Sequence, residues 1–256
     1  MLVTIDIGNT NTVVGLYAGN ELRNFYRLSS RDSITVDEAG LLLFDLCRLN
    51  NAPEEIDGAA MCSVVPILTS RFEAALKKYF NSEPLILDHK TDTGMKIDYE
   101  IPNQVGSDRI ADAVAAYNKY GGPTIIVDLG TAVTVDAVSS DGVYLGGAIA
   151  PGIEASVAGL SKRASQLFQV SLHPPSRTLG KNTMESIQAG IIFGAVGQID
   201  ALVKRISSEI GEDVKMVVAT GGLADMVKGL SETVREVDHT LTLDGLKFVY
   251  NRIKNK

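Results

Sequence analysis

Two short stretches of similar sequence decide the predicted fold. The first, at residues 5–12, reads IDIGNTNT, and the second, at residues 127–134, reads VDLGTAVT. Each runs apolar, Asp, apolar, Gly and then reaches a threonine, and the two aspartates, Asp6 and Asp128, lie about half the chain apart. In both, a strand ending beside an aspartate turns at a glycine into the next strand. The repeat therefore predicts two similar half-domains.

The surrounding sequence extends this repeat. Apolar runs separated by glycine turns predict an antiparallel meander at the start of each half. The runs are 2–7, 12–17 and 21–28 in the first half and 124–128, 132–138 and 143–149 in the second. Apolar residues at three- and four-residue spacing predict the helices, and short apolar runs predict further strands. The helices are 36–49, 66–80, 107–119, 151–166, 183–210, 222–229 and 241–254, and the strands are 58–63, 84–87 and 214–220.

The best linker candidate is Gly121-Gly122-Pro123. Turn residues of this kind end regular structure and favour a boundary between compact parts. We therefore expect half-domains at 1–120 and 121–256, each with a mixed sheet and flanking helices, in an α/β protein.

Composition narrows the function. The chain has 256 residues, 45% of them hydrophobic, which is typical of a folded globular protein. Its 24 Lys and Arg against 31 Asp and Glu give a net charge of -7, so we expect no nucleic-acid partner and no membrane surface. The start of the sequence lacks the pattern of a leader, and no run of eighteen apolar residues occurs, which predicts a cytoplasmic location. Cys47 and Cys62 lie in apolar stretches and are expected to be buried thiols.

A carboxylate at a strand end beside a tight glycine turn suits magnesium and phosphate. Hard cations take carboxylate oxygens directly or through water, and the amides and hydroxyls of a tight turn bind phosphate oxygens. One such turn is often only a turn, but two on matched strands predict a nucleotide cleft between the halves, with Asp6 the stronger metal candidate. The residues concerned are Asp6, Gly8, Asn9, Thr10, Asn11 and Thr12 in the first half, and Asp128, Gly130 and Thr131 in the second.

A third motif, VGSDR at residues 105–109, stands at the start of a predicted helix. A helix N-terminus favours negative charge, so Asp108 is expected to be ionised and able to act as a base in phosphoryl transfer. Arg109 can offer a planar fork to a carboxylate or phosphate. The alternative is that Ser107 or Asp108 only caps the helix and Arg109 is exposed to solvent.

Glycines also line a later helix and two turns. Gly190, Gly194 and Gly197 recur at four- and three-residue spacing, which lets a second helix approach, either within the chain or across a twofold interface. The glycine-rich turns at 146–152 and 219–224 allow a ligand to approach the backbone, and the second could accept the base and ribose of a nucleotide.

Taken together, the motifs at 6–12, 106–109, 128–132, 146–152 and 221–222 resemble type III pantothenate kinase, in order and spacing, over essentially the whole chain. The resemblance implies the fold of the acetate kinase, hexokinase, Hsp70 and actin superfamily, with two actin-like (ribonuclease H-like) half-domains and ATP between them. It also implies transfer of the γ-phosphate of ATP to the primary hydroxyl of pantothenate, the first step of coenzyme A synthesis, by a homodimer.

Roles for individual residues also follow from the resemblance. Asp108 corresponds to the general base, and Asp128 to the ligand of a monovalent cation, K⁺ or NH₄⁺. The Mg²⁺ ion expected at Asp6, directly or through water, rests on the residues themselves. Thr183 matches a pantothenate contact donated by the other subunit. The ATP contacts are Asp6, Ile7, Gly8, Asn9, Thr10, Asn11, Thr12, Val13 and Thr131, and the pantothenate contacts are Tyr99, Gly106, Ser107, Asp108, Arg109 and Thr183.

Two departures from the family pattern are small. Ser107 stands where alanine is frequent, and Cys62 where serine is common, and neither removes a charge. Two other functions remain open on the residues alone: a nucleotide-gated binding or filament protein, and a related kinase that acts on a sugar or acetate. A carboxylate such as Asp108 followed by Arg109 argues against a pure binding protein, which needs no base beside its nucleotide.

Overall fold

The computed structural model describes residues 1–50, 56–163 and 171–256, and side chains are described outside 161–170. The strands are β1 Leu2–Ile7, β2 Asn11–Ala18, β3 Glu21–Ser29, β4 Gly58–Ser63, β5 Leu85–Ile86, β6 Lys96–Ile97, β7 Thr124–Leu129, β8 Ala132–Val138, β9 Val143–Pro151, β10 Met216–Gly221 and β11 Glu236–Val237. The helices are α1 Val36–Leu49, α2 Pro66–Phe80, α3 Ser107–Tyr120, α4 Ile153–Arg163, α5 Thr183–Ile210, α6 Ala224–Lys228 and α7 Leu241–Lys254, with a 3₁₀ turn at Pro102–Gln104.

The chain divides into two compact units. Unit 1 comprises Met1–Ala115 together with Thr240–Lys256, and unit 2 comprises Ala116–His239. The expected halves, 1–120 and 121–256, differ from this division mainly in the place of the last helix. Helix α7 packs on unit 1, where its Leu243 joins Leu2, Val13 and Tyr17 in a buried apolar cluster.

In unit 1 the strands follow the order β3-β2-β1-β4-β5. β1, β2 and β3 form the expected antiparallel meander, and β4 pairs in parallel with β1. Because side chains alternate along a strand, the sheet has two faces. Ile5 and Ile7 face a core shared with α1 and α2, whereas Leu2 and Val13 face α7.

Helices α3 and α7 approach closely on their side of unit 1. A Cβ at Gly245 of α7 would lie 2.0 Å from the carbonyl oxygen of Ala111 in α3, so only glycine fits there. The hydroxyl of Thr242 donates to Oδ1 of Asp112 at 2.7 Å across the same contact. The close approach fixes α3 and so places the motif at its N-terminus.

Unit 2 repeats the arrangement. Its strands follow the order β11-β10-β7-β8-β9. Strands β7 to β9 form an antiparallel meander, and β10 pairs in parallel with β7. Its core joins these strands to α4, α5 and α6, with Ile153, Ile199 and Val227 among the buried residues. The predicted helix at 151–166 begins later, because Pro151 ends β9 opposite Ala132, and its residues 164–166 lie outside the described part of the chain.

Candidate active site

The loop from β1 to β2 is built around a glycine turn. The backbone amide of Gly8 donates to the carbonyl of Asn11 at 2.9 Å, and a Cβ at Gly8 would lie 3.1 Å from that same oxygen. Asn9 and Thr10, at the tip, are exposed. The turn thus presents backbone to solvent immediately after the strand that carries Asp6.

Ser30, the residue after β3, is hydrogen-bonded to this loop at three places. Its amide donates to the carbonyl of Thr10 at 2.9 Å, its hydroxyl donates to the carbonyl of Gly8 at 2.6 Å, and Oγ1 of Thr12 lies 2.9 Å from the same hydroxyl. These bonds use carbonyl oxygens of the loop. A loop fixed through its carbonyls is suited to hold anions through its amides.

Asp6 lies beside Cys62 of the neighbouring parallel strand, and the thiol of Cys62 donates to Oδ1 of Asp6 at 3.4 Å. Burial and the nearby carboxylate of Asp108 raise the pKa of Asp6 to about 7, against the weaker opposing effects of Cys62 and Arg27. Burial, with the negative charges of Asp6 and Asp108, also raises the pKa of the Cys62 thiol, so Cys62 stays protonated as a donor. A carboxylate this costly to ionise gains from a nearby cation.

The N-terminus of α3 is fixed to the end of β4. The hydroxyl of Ser107 accepts from the amide of Ser63 at 3.1 Å and donates to the carbonyl of Ser63 at 3.3 Å. Ser63 follows Cys62, which explains why the charge of Asp108 reaches Asp6. The hydroxyl that makes both hydrogen bonds belongs to Ser107, the first residue of α3.

Asp108 turns back on the first turn of its own helix. Its Oδ1 accepts from the amide of Arg109 at 2.8 Å, and a Cβ at Gly106 would lie only 2.3 Å from that oxygen. Arg109 is 7% exposed, so the alternative in which its side chain extends into solvent is wrong. Tyr99 is half-buried in the segment between β6 and the 3₁₀ turn of the same unit.

Unit 2 carries the second aspartate on an equivalent strand. Asp128 of β7 lies opposite Thr220 of the parallel strand β10, and the amide of Gly130 donates to the carbonyl of Ala132 at 3.0 Å. Gly221 has a φ of +93°, and a Cβ there would lie 2.8 Å from Oδ1 of Asp128 and 2.5 Å from the carbonyl oxygen of Leu129. Thr131 is exposed at the tip of this turn.

Thr183 is the first residue of α5 and is exposed. Asn182 caps the helix, since its side chain accepts from the amide of Glu185 at 2.9 Å. Behind Thr183, the glycine stripe of 190, 194 and 197 is exposed, and a Cβ at any of the three would meet nothing within 4 Å. A groove of about 520 Å³ runs along this face, between α5 and residues 178–180.

Helix α5 is long and apolar enough, by length and composition alone, to cross a membrane. Buried residues of α5 pack in the core of unit 2, with β7 and β8, and include Ile191, Val196 and Val203. Of the apolar window of this helix, 39% is buried within the protein, so packing in the core accounts for part of its apolar character.

Magnesium suits the surroundings of Asp6. Among the described residues, no group of three or more His, Cys, Asp or Glu side chains is placed to hold a metal. Mg²⁺ needs no such cage, because it usually takes one or two carboxylates and completes its shell with water and substrate phosphates. The raised pKa of Asp6, with Asp108 nearby, is the electrostatic environment in which a divalent cation is most favourable.

One candidate contact was not predicted from the sequence. Arg27 of β3 is exposed. In the sheet it lies opposite Val13 of β2, and Val13 in turn lies opposite Asp6 of β1. The positive charge of Arg27 acts to lower the pKa of Asp6. Cross-strand neighbours share a face, so aligning the meander residue by residue could have found it.

Repeated meanders that each place an aspartate before a glycine turn define an actin-like fold. The chain aligns along 100% of its length with the activator of 2-hydroxyisocaproyl-CoA dehydratase from Clostridium difficile, solved with ADPNP, covering 97% of that chain at 15% identity and TM-score 0.59. It also aligns with the ROK hexokinase from Thermus thermophilus, over 98% of this chain and 99% of that one, at 12% identity and TM-score 0.53. At these identities the likeness shows the fold.

The family follows from sequence. The family model for type III pantothenate kinase matches residues 2–205. A curated type III pantothenate kinase from Moorella thermoacetica is 45% identical over 253 residues, which are 98% of this chain and 99% of that protein. The chain belongs to the type III pantothenate kinase family and is a kinase. The predicted fold class and family are thereby confirmed.

Proposed function

We propose that this kinase transfers the γ-phosphate of ATP to the primary hydroxyl of pantothenate, the first step of coenzyme A synthesis, with Asp108 as the general base. The observation that carries the reaction is the 45% identity to a curated type III pantothenate kinase over 98% of the chain. The carboxylate fixed at the start of α3 supports the base.

In this mechanism Asp108 accepts the proton of the pantothenate hydroxyl as the oxygen bonds to the γ-phosphorus and ADP leaves. The base must be ionised. The amide of Arg109, 2.8 Å from Oδ1, and the N-terminal end of α3 both favour the charged form of Asp108. The link between Ser107 and Ser63 keeps the carboxylate in place while the substrate binds.

The remaining contacts are proposed residue by residue. The amides and hydroxyls of the loop Asp6–Val13, including Ile7, Asn9 and Asn11, bind the phosphates of ATP, and Thr131 provides a second contact to ATP. Pantothenate is bound by Tyr99, Gly106, Ser107, Asp108 and Arg109. Arg109 is suited to the pantothenate carboxylate, because a buried guanidinium forms strong paired hydrogen bonds to that group.

Two cations complete the proposal. Asp6 holds Mg²⁺, directly or through water, which when bound neutralises charge on the phosphates of ATP. Asp128 holds K⁺ or NH₄⁺, beside the backbone carbonyl of Leu129 that Gly221 leaves open. Rates in K⁺ and NH₄⁺ should exceed those in Na⁺ at equal ionic strength, and Asp128→Ala should abolish the difference. Equal rates in all three salts contradict the monovalent site.

We also propose a homodimer in which Thr183 of one subunit contacts pantothenate in the other. The exposed glycine stripe of α5, the 520 Å³ groove and exposed Leu179 and Met184 support an interface on this face. Mixing inactive Asp108→Asn with inactive Thr183→Trp should restore roughly a quarter of wild-type activity, since half the dimers are mixed and each has one intact site. No recovery, although subunits exchange, contradicts a shared site.

A cytoplasmic location, with no nucleic-acid or membrane partner, follows from the composition and stays a prediction. The reaction itself is tested by measuring ADP formation with pantothenate, glucose, acetate or no acceptor. We expect ADP to form only with pantothenate, together with one equivalent of phosphopantothenate. Equal turnover without any acceptor favours a nucleotide-gated binding protein, and turnover with glucose or acetate favours a different kinase.

A further inference from the structure

A second cavity lies in unit 1 on the face of the sheet opposite Asp6. It measures about 280 Å³ and opens between the end of β3, α1 and α2. Thr12 and Leu28 line it, and both are in register with Ile7, which faces the α1 and α2 core, whereas Asp6 and Val13 face the other way. The cavity therefore lies on the opposite face of the sheet from Asp6, and among its described lining residues Thr12 alone also belongs to the loop proposed to bind ATP.

The lining is apolar with a cationic edge. Five of its side chains are apolar: Leu28, Ile34, Leu42, Leu68 and Phe72. The polar lining residues are Thr12, Ser29 and Arg31. A pocket with an apolar wall and a few polar groups at one side is the usual form of a small-molecule site.

Arg31 is the charge at this edge. It is exposed, and within the described chain its guanidinium has neither an ion pair nor a hydrogen bond. Arg31 helps to lower the pKa of Glu38, whose Oε2 already accepts from the amide and the hydroxyl of Thr35 at 2.7 and 2.9 Å. The second guanidinium nearby, that of Arg71, donates to the carbonyls of Asp32 and Ile34 and so holds the 31–34 segment in place.

The cavity wall is continuous with the proposed phosphate loop. Ser30 lies between two lining residues, Ser29 and Arg31, and it binds the carbonyls of Gly8 and Thr10 as well as the hydroxyl of Thr12. A molecule that holds residues 29–31 in place should therefore also restrain the loop between β1 and β2, to which Ser30 is hydrogen-bonded.

We propose that this cavity binds a small amphipathic carboxylate, with its apolar body against Leu28, Leu42 and Phe72 and its charge on Arg31, and that occupancy changes ATP affinity through Ser30. The binding step stands on the cavity alone. The coupling step rests on the proposed function, because it takes the loop Asp6–Val13 to bind ATP.

The binding test uses 3-phenylpropanoate as the probe and its neutral analogue 3-phenylpropan-1-ol, titrated into the full chain without nucleotide and followed by methyl NMR. We expect saturable shifts at the methyl groups of Leu28, Ile34, Leu42 and Leu68. The carboxylate should bind roughly tenfold more tightly than the alcohol. Arg31→Gln should remove that preference, whereas the matched control Arg48→Gln, an exposed arginine on α1 away from the cavity, should keep it.

Absence of saturable shifts in these methyl groups overturns the site, and so does an unchanged carboxylate preference in Arg31→Gln. Leu42→Phe, which narrows the cavity from a half-buried position, is a second check and should weaken both probes equally. Because no nucleotide or pantothenate is present, these results are independent of the kinase reaction.

The coupling test measures the dissociation constant of Mg–ATP by calorimetry with and without saturating 3-phenylpropanoate. We expect at least a roughly twofold change in the wild type and none in Ser30→Ala, which should still bind the probe. An unchanged constant in the wild type overturns the coupling. A protein that binds the probe and ATP in this way but does not phosphorylate pantothenate overturns only the proposed function.

Discussion

The two units share one arrangement of strands, an antiparallel meander beside a parallel strand, but they differ in the residues around the aspartate at the end of the first strand. In unit 1, Asp6 lies opposite Cys62 and Ile7 opposite Ser63; in unit 2, Asp128 lies opposite Thr220 and Leu129 opposite Gly221. Burial and the acidic neighbour Asp108 make Asp6 costly to ionise. Beside Asp128, Gly221 has no side chain, and a Cβ there would lie 2.8 Å from Oδ1 of Asp128.

The turns differ as well. Gly8 donates to the third residue after it, whereas Gly130 donates to the second, so the loop of unit 2 is one residue shorter. The longer loop carries the exposed tip that we propose for phosphate, and the shorter one brings its backbone back beside Asp128. The two ion sites that we propose would therefore differ through a one-residue change in the turn and one side chain on the adjacent strand.

The largest expected effect concerns the proposed base, Asp108, which lies in unit 1. Asp108→Asn keeps the shape and removes the proton acceptor, so kcat should fall by roughly 10² to 10⁴-fold while ATP still binds. Asp45→Asn, at an exposed carboxylate of α1 in the same unit, is the control. Its kcat should be little changed. Near-full activity of Asp108→Asn across pH contradicts the assignment.

The second prediction tests the open backbone beside Asp128. Gly221→Ala adds a Cβ at a positive φ, against the carbonyl of Leu129, and should cost about 2 to 4 kcal/mol of unfolding free energy. Thermal and denaturant unfolding measure it. The adjacent Gly222→Ala, which meets nothing within 4 Å and has no positive φ, should be nearly neutral. Equal effects at both glycines contradict this description of the site.

The third prediction concerns the charge of Asp6. Its folded-state pKa of about 7 lies above the ordinary value of 3.8, so the folded state holds the extra proton and stability should fall as pH rises between these two values. Without nucleotide, Asp6→Asn should therefore stabilise the protein near pH 8.5 by about 1 to 3 kcal/mol more than it does near pH 5.

Chemical denaturation at both pH values measures this difference. Asp45→Asn, at an exposed carboxylate of α1 in the same unit, is the control and should show no such pH dependence. A pH-independent effect of Asp6→Asn contradicts the raised pKa.

The smallest effect concerns the residue on the adjacent strand. Cys62→Ser replaces a weak thiol donor by a stronger hydroxyl donor to Asp6, which favours the carboxylate. The pKa of Asp6 should fall by roughly half a unit to one unit, measured by carboxyl NMR titration, with stability changed by no more than about 1 kcal/mol. An unchanged or higher pKa of Asp6 shows that the thiol does not act as this donor.

Periodicity and glycine turns predicted most of the elements. The meanders at the start of both halves and the helices 36–49, 66–80 and 183–210 follow from local patterns, and the structure has them at these positions. Short strands such as β6 and β11, two residues each, carry no pattern of their own. Helix α6 is shorter than the predicted 222–229, because glycines at both ends of that segment favour turns.

The sequence predicts which residues belong to the candidate site, but only in part which of them lie close together. The repeat around Asp6 and Asp128 is visible in the sequence, and so is the Asp108 motif. The proximity of Arg27 and Cys62 to Asp6 depends on strand register. The register pairs Val13 with Arg27, 14 positions later, and Asp6 with Cys62, 56 positions later. The burial of Arg109 and the return of α7 to unit 1 depend on packing between distant segments, which a local pattern does not contain.

The return of α7 to unit 1 has a consequence for how the chain folds during synthesis. Residues 240–256 complete unit 1, and they are made after all of unit 2. As the chain emerges, Leu2, Val13 and Tyr17 lack Leu243, their apolar partner, until the ribosome has passed residue 243. Unit 2, a continuous segment, has its full set of contacts earlier. The second half of the sequence is therefore the first that can fold to completion, and the opening strands wait for the last helix.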